Sequence, residues 1–150
     1  MKAVIQRVSK ASVSIDNDIK SEIEFGLMVL LGIEEADTKE DIEWLTKKIS
    51  QLRIFDDADS VMNLSLLDVG GDAIVVSQFT LHAKTKKGNR PSYIKAARPE
   101  TAIPLYNDFV KQFEILLGKL VGTGEFGAEM DVELTNSGPV TIIIDTRNKE

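Results

Sequence analysis

The sequence predicts an α+β fold: one domain built on a mixed, largely antiparallel sheet, curled towards a barrel, with two main helices. Three observations predict it. Apolar runs of strand length recur at 27–33, 73–79 and 140–145, too short for membrane spans and too continuous for half-exposed strands. Two segments, from Thr38 and from about Glu100, carry apolar residues at helical spacing instead. The resulting order, β-β-β-α-β-β-α-β-β, lacks the strict strand-helix alternation of a doubly wound sheet. A chain of 150 residues is the size of a single domain and can bury roughly 70% of its unfolded surface. With no repeat, linker or low-complexity stretch visible, one domain over 1–150 is expected.

Taken in order, residues 2–8 (KAVIQRV) and 11–15 (ASVSI) read as strands with Val4, Val8, Val13 and Ile15 available to a core. Asp16-Asn17-Asp18 is a turn, and 19–24 returns as the second arm of a hairpin. The run LMVLLGI at 27–33 should be a central strand, buried on both faces. Thr38 and Asp41 stand in capping-box spacing, ahead of Ile42, Leu45, Ile49 and Leu52 on one helical face. A short strand follows at 61–67, then a turn at Val69-Gly70-Gly71-Asp72 and an apolar strand from Ala73 to Phe79. The second helix runs from about Glu100 to Leu120, with Leu105, Phe109, Phe113, Leu116, Leu117 and Leu120 as its stripe and Pro104 in its first turns. Residues 130–135 alternate as a strand, Asn136-Ser137-Gly138-Pro139 is a turn, and Val140 to Asp145 forms the last strand.

Composition narrows the chemistry. There is no cysteine, hence no disulfide, thiolate nucleophile or Cys-based metal site. The start, Met1-Lys2-Ala3-Val4, leads directly into a strand pattern, so a cytoplasmic location with no membrane partner is expected. Net charge is −6, yet Lys84, Lys86, Lys87, Arg90, Lys95 and Arg98 fall in one stretch without an acid. That basic patch is either a solvated loop or a phosphate-contacting one. No glycine-rich nucleotide loop occurs, so no cofactor is expected. Asp56, Asp57 and Asp59 lack the glycine and terminal glutamate of a Ca²⁺ loop and read as an exposed acidic turn.

The stretch VVSQFTLHAK at 75–84 starts apolar and ends with Ser77, Gln78, Thr80 and His82. His82, the only histidine, would have to be the base of any Ser-His-Asp triad, but nothing in the sequence supplies its nucleophile or its orienting group. It reads as a surface loop histidine. On strand geometry, Thr80 and His82 could share one face, and Ser77 and Phe79 the other. What remains is a site of strand-end backbone N–H groups and small hydroxyls. Such donors can contribute on the order of 3 kcal/mol each by stabilising an oxyanion. That suits an activated ester whose own neighbouring hydroxyl supplies proximity.

Three segments together, AVIQRVSKASV at 3–13, VVSQFTL at 75–81 and NSGPVT at 136–141, resemble the D-aminoacyl-tRNA deacylases. The similarity extends through LLGI (30–33), RIFDD (53–57), GNRPSY (88–93) and GEFGAEM (124–130) and covers essentially the whole chain. It implies a deacylase-type fold and a homodimeric hydrolase with its active site at the subunit interface. Such an enzyme frees a D-amino acid, or mischarged glycine, from the 3′-terminal adenosine of tRNA, a proofreading of chirality.

The resemblance also distributes roles. Ser77, Gln78, Phe79 and Thr80 match the catalytic signature, with backbone N–H groups of Phe79 and Thr80 facing the substrate carbonyl and Thr80 a positioning group or a nucleophile. Gly138 and Pro139 match a cis peptide whose carbonyls enter the partner's pocket and capture the substrate amino group. Arg7 matches the arginine that holds that motif, although a first-strand arginine could equally form a surface salt bridge. Phe126, Ala128 and Met130 match an adenosine-pocket segment, with core packing as the alternative for each. Lys84, Lys86, Lys87 and Arg90 are assigned to the tRNA acceptor stem. Two readings of other classes stand beside this one: a non-catalytic RNA-binding module and a small metal-dependent esterase.

Overall fold

The computed structural model describes residues 1–150. Its elements are β1 (Lys2–Ile15), β2 (Asp18–Ile23), β3 (Gly26–Gly32), α1 (Lys39–Gln51), β4 (Phe55–Asp56), β5 (Met62–Leu64), α2 (Leu66–Val69), β6 (Asp72–Ser77), a 3₁₀ turn (Phe79–His82), α3 (Pro99–Leu117), β7 (Gly122–Thr123) and β8 (Asp131–Asp145). The expected α+β class with a mixed sheet is what forms.

β1 organises the sheet because it is long enough to use both edges. One edge pairs antiparallel with β3 along Lys2–Val8 and with β2 along Ala11–Ile15; the other pairs antiparallel with β8 from Lys2 to Ser14. Beyond β3 come β6 and β7, both parallel. The outer strands β2 and β7 then meet through one side chain. The Thr123 N–H donates to Ser21 Oγ at 3.0 Å, and that hydroxyl donates to the Thr123 carbonyl at 2.6 Å. The sheet thereby curls into a nearly closed barrel.

The continuous apolar run of β3 has the cause expected of it. Leu27, Val29 and Leu31 face the main core with Ile42, Leu45 and Ile49 of α1 and Tyr106, Phe109 and Phe113 of α3, while Met28 joins Val8, Val13, Ile74 and Val76 inside the barrel. Burying one such side chain contributes about 1.5–3 kcal/mol. At the α1 start the Thr38 N–H donates to Asp41 at 2.8 Å, as the capping-box spacing predicts.

Five expectations are corrected. The segments 2–8 and 11–15 are one strand, because β8 runs along both. The 61–67 strand shortens to Met62–Leu64, paired with β4, and is followed by a third helix, α2, whose capping box closes with the Ser65 N–H donating to Asp68 at 2.8 Å and the Asp68 N–H donating to Ser65 Oγ at 3.2 Å. α3 ends at Leu117, since Gly118 takes φ 69°, and Leu120 is exposed rather than part of the stripe. Pro104 lies inside that helix, past its first turn. Finally, 136–139 is no terminal turn but the middle of β8.

Candidate active site

The strand that carries the SQFT signature is fixed from α3. The Tyr106 hydroxyl donates to the Val75 carbonyl at 2.6 Å, and burial pushes its pKa up to about 12, so it remains a protonated donor at any physiological pH. β6 stops at Ser77, two residues short of the expected end. Gln78 still donates its N–H to the Leu31 carbonyl at 2.8 Å, and then the chain winds into the 3₁₀ turn. The turn packs on Gly32. A Cβ there would stand 3.0 Å from Leu81 Cβ and 3.1 Å from both the Gln78 carbonyl and the His82 ring.

Winding instead of extending changes what the signature presents. Phe79 and Thr80 occupy the first positions of the turn, where no carbonyl of that helix is available to their N–H groups. These are free-standing donors beside small polar side chains. Phe79 is 52% exposed and packs edge-on against Tyr93, with ring centroids 5.0 Å apart. The Gln78 amide donates to the Thr80 hydroxyl, so Thr80 is oriented by a neutral group and not by a base. Ser77 is half-buried at the strand end.

His82 is a correction. It is buried, at 3% exposure, with Nδ1 3.7 Å from a Glu34 carboxylate oxygen. The surface-loop reading and the shared face with Thr80 both assumed an extended chain. The 3₁₀ turn rotates the ring inward instead.

The second signature is built on the opposite edge of β1. Gln6 pairs with Thr141 and Val8 with Asn136, so the four residues between them bulge out against Arg7 alone. Gly138 and Pro139 crown the bulge, exposed, with a cis peptide between them. Two side chains shape it. Asn136 accepts from the Val140 N–H at 2.7 Å and donates to the Val140 carbonyl at 3.2 Å and to Thr141 Oγ1 at 3.0 Å. Arg7, only 9% exposed, donates from Nε to the Ser137 carbonyl at 2.8 Å and from Nη1 to the Ile54 carbonyl at 2.7 Å. Its contact with exposed Asp56, at 3.3 Å, is the lesser part, so Arg7 is a buried brace rather than a surface salt bridge.

Phe126, Ala128 and Met130 lie in the β7–β8 connection, each half-buried. Phe126 tilts against Tyr106 at 6.4 Å between centroids. Ala128 donates its N–H to the Glu125 carbonyl at 3.2 Å. The Met130 sulfur fills the space that a Cβ on Gly124 would need. No hydrogen bond or ring contact joins these three to Phe79 or Thr80.

The basic stretch follows the turn directly. Lys84 and Ser92 exchange backbone hydrogen bonds of 2.8 and 3.0 Å, closing a loop on which Lys84, Lys86, Lys87 and Arg90 are exposed and unpaired with any acid. In the acidic turn, backbone N–H groups of Val61 and Asp59 bond the Asp57 carboxylate and hold its pKa below the usual range.

The sequence reading missed Asn136 as the bulge's internal brace, Tyr93 as the partner of Phe79, and Gly32 as the floor of the turn. For Asn136 the signal was present: an amide side chain two residues before Gly-Pro can bond across the bulge.

The chain is similar to known proteins along essentially its whole length. A family model described as D-Tyr-tRNA(Tyr) deacylase matches residues 4–145. Proteins named D-aminoacyl-tRNA deacylase from Phocaeicola vulgatus and Flavobacterium psychrophilum are each 65% identical over 150 residues, covering 100% of both chains. A solved structure described as "c-Myc DNA Unwinding Element Binding Protein" superposes with a TM-score of 0.93 at 40% identity, covering 97% of this chain and 99% of its own. Another, described as a "probable eukaryotic D-amino acid tRNA deacylase", shares the fold with a TM-score of 0.82 at 16% identity, covering 95% and 97%. The chain belongs to the D-Tyr-tRNA(Tyr) deacylase family of hydrolases.

Proposed function

We propose that this chain, acting as one domain over 1–150, hydrolyses the ester that joins a D-amino acid, or glycine, to the terminal adenosine of tRNA. It does so as a homodimer. One observation carries the reading: the exposed Gly138–Pro139 bulge makes no hydrogen bond to the 77–80 turn of its own chain, and it sits on a 15-residue strand that pairs only with β1. An open edge of that length invites a second copy. A site that combines bulge and turn needs one.

In this account the Gly138 and Pro139 carbonyls accept from the substrate α-amino group and so fix its α-carbon. A D side chain then points to open space, and an L side chain meets the pocket wall. The Phe79 and Thr80 N–H groups donate to the carbonyl oxygen as it gains charge, a contribution on the order of 3 kcal/mol for each donor. Water, assisted by the ribose 2′-hydroxyl, forms the new C–O bond; the ester bond breaks, and the ribose 3′-oxygen leaves with a proton. Gln78 orients Thr80, and Ser77 forms the floor. Phe126, Ala128 and Met130 line the adenosine pocket, and the loop of Lys84, Lys86, Lys87 and Arg90 follows the acceptor-stem phosphates. No step calls for a cofactor, and EDTA should leave the rate unchanged. No helix is long and apolar enough to cross a membrane; the work is assigned to the cytoplasm.

Because no base touches Thr80, Thr80→Ala should keep kcat/KM for D-Tyr-tRNA within about tenfold of wild type. A loss above about 3 kcal/mol of transition-state stabilisation, measured by initial-rate kinetics, would make Thr80 the nucleophile instead. Replacing Lys86 and Lys87 together by alanine should lower the slope of log Kd for tRNA against log salt by about 1–2. An unchanged slope in a salt titration would remove this loop from the interface. A second reading, nucleic-acid binding without hydrolysis, draws on the same unpaired cations and predicts binding with no release of amino acid.

A further inference from the structure

The 79–82 turn aims the two N–H donors of the reading above, so whatever holds the turn sets the site. Backbone bonds alone hold it on one side, through Gln78 to the Leu31 carbonyl. On the other side stands His82. Its ring rests on Gly32, where a Cβ would come within 3.1 Å of Cδ2, and its Nδ1 faces Glu34 Oε2 at 3.7 Å. Glu34 does not float. Arg147 Nε lies 3.4 Å from its other carboxylate oxygen, and the same guanidinium stands 3.2 Å from Asp37 and 3.6 Å from Asp41 at the start of α1. A chain of contacts thus runs from the turn, through His82 and Glu34, to the C-terminal segment and the first helix.

The far edge of the His82 ring carries a polar atom that no protein group meets. Its Nε2 is buried without a hydrogen-bond partner, although the interior of a protein penalises such an atom and an apolar side chain of similar size would carry no penalty. The one polar group that the ring faces is the Glu34 carboxylate, on its Nδ1 side.

We propose that His82 is a positioning residue: held between Gly32 and Glu34, with Arg147 fixing Glu34, its ring sets the 79–82 turn and hence the direction of the Phe79 and Thr80 N–H groups. The proposal rests on the deacylase reading only for its consequence in rate, not for its consequence in the turn. His82→Asn keeps a polar group near the Nδ1 position and drops Nε2; His82→Leu keeps bulk and drops both.

Two readouts test it on the full chain. In steady-state hydrolysis of D-Tyr-tRNA, His82→Leu should lose about tenfold or more in kcat with KM within about threefold, and His82→Asn should restore most of the loss. In hydrogen exchange, the amides of Leu81 and Ala83, which bond the Gln78 and Thr80 carbonyls, should exchange about tenfold faster in His82→Leu than in wild type, while the core strands are unchanged and the melting temperature does not fall. Wild-type exchange at Leu81 and Ala83 in His82→Leu, or an asparagine variant as impaired as the leucine one, would overturn the proposal. Should the leucine variant fail to fold, Glu34→Gln leaves the ring in place and must still loosen these two amides; if it does not, the proposal falls. A wild-type protein inert towards D-Tyr-tRNA would sink the functional reading, and the exchange experiment would still decide the role of His82.

Discussion

Arg7→Met should lower kcat/KM for D-Tyr-tRNA by about 100-fold or more, a loss of about 2.7 kcal/mol, and should also cost the fold about 2–4 kcal/mol. Methionine preserves much of the side chain's length and apolar packing, so the effect isolates the guanidinium. Without it, the Ile54 carbonyl loses a 2.7 Å donor in a buried setting and the Ser137 carbonyl loses one at 2.8 Å. Two orphaned acceptors at about 1–3 kcal/mol each account for the stability loss. The activity loss has a different origin. Ser137 is the residue before Gly138, so the brace that fixes the bulge disappears with its partner. Denaturant titration and initial rates, measured together, separate the two. A variant destabilised as expected but fully active at a temperature where it remains folded would detach Arg7 from the site.

Gly138→Ala should be as severe for activity and milder for stability. Gly138 takes φ 141°, a region that L residues enter at about 1–3 kcal/mol. An added Cβ would stand 2.8 Å from Val140 Cγ2, 2.9 Å from the Val140 nitrogen and 3.0 Å from Arg7 Nη2. The bulge must therefore move away from its brace. Because it is exposed and flanked by a paired strand, the barrel tolerates that movement, and the melting transition should remain cooperative. Hydrolysis of D-Tyr-tRNA should fall by about 100-fold or more. Retention of near wild-type turnover would show that the carbonyls of the bulge do not touch the substrate.

Features set by local chemistry were legible in the sequence. The capping box at Thr38 and Asp41 closes as its spacing says, and the apolar run at 27–33 forms a strand buried on both faces because α1 and α3 cover one face and the barrel interior takes the other. Features set by distant partners were not. β8 continues through Asn136-Ser137-Gly138-Pro139 because β1 lies beside it on both sides of the bulge, and no property of those four residues reveals that neighbour. His82 is buried because the chain turns at Phe79 onto Gly32, 47 residues earlier in the sequence; a lone polar residue between apolar and basic text gives no sign of it. The same holds for Arg7, whose partners Ile54 and Ser137 are 47 and 130 residues away. The SQFT and N-x-GPVT signatures could be read as a family resemblance, whereas their physical support came from elsewhere in the chain.

The central claim is that handedness at the α-carbon decides whether the ester is cleaved. It is tested by presenting the protein with D-Tyr-tRNA and L-Tyr-tRNA built on the same tRNA and following release of free tyrosine from each over time. The account predicts rapid release from the D ester while the L ester decays only at its spontaneous rate. Equal enzymatic release from both would contradict reading of chirality by the Gly138–Pro139 bulge, and release from neither would contradict hydrolysis itself.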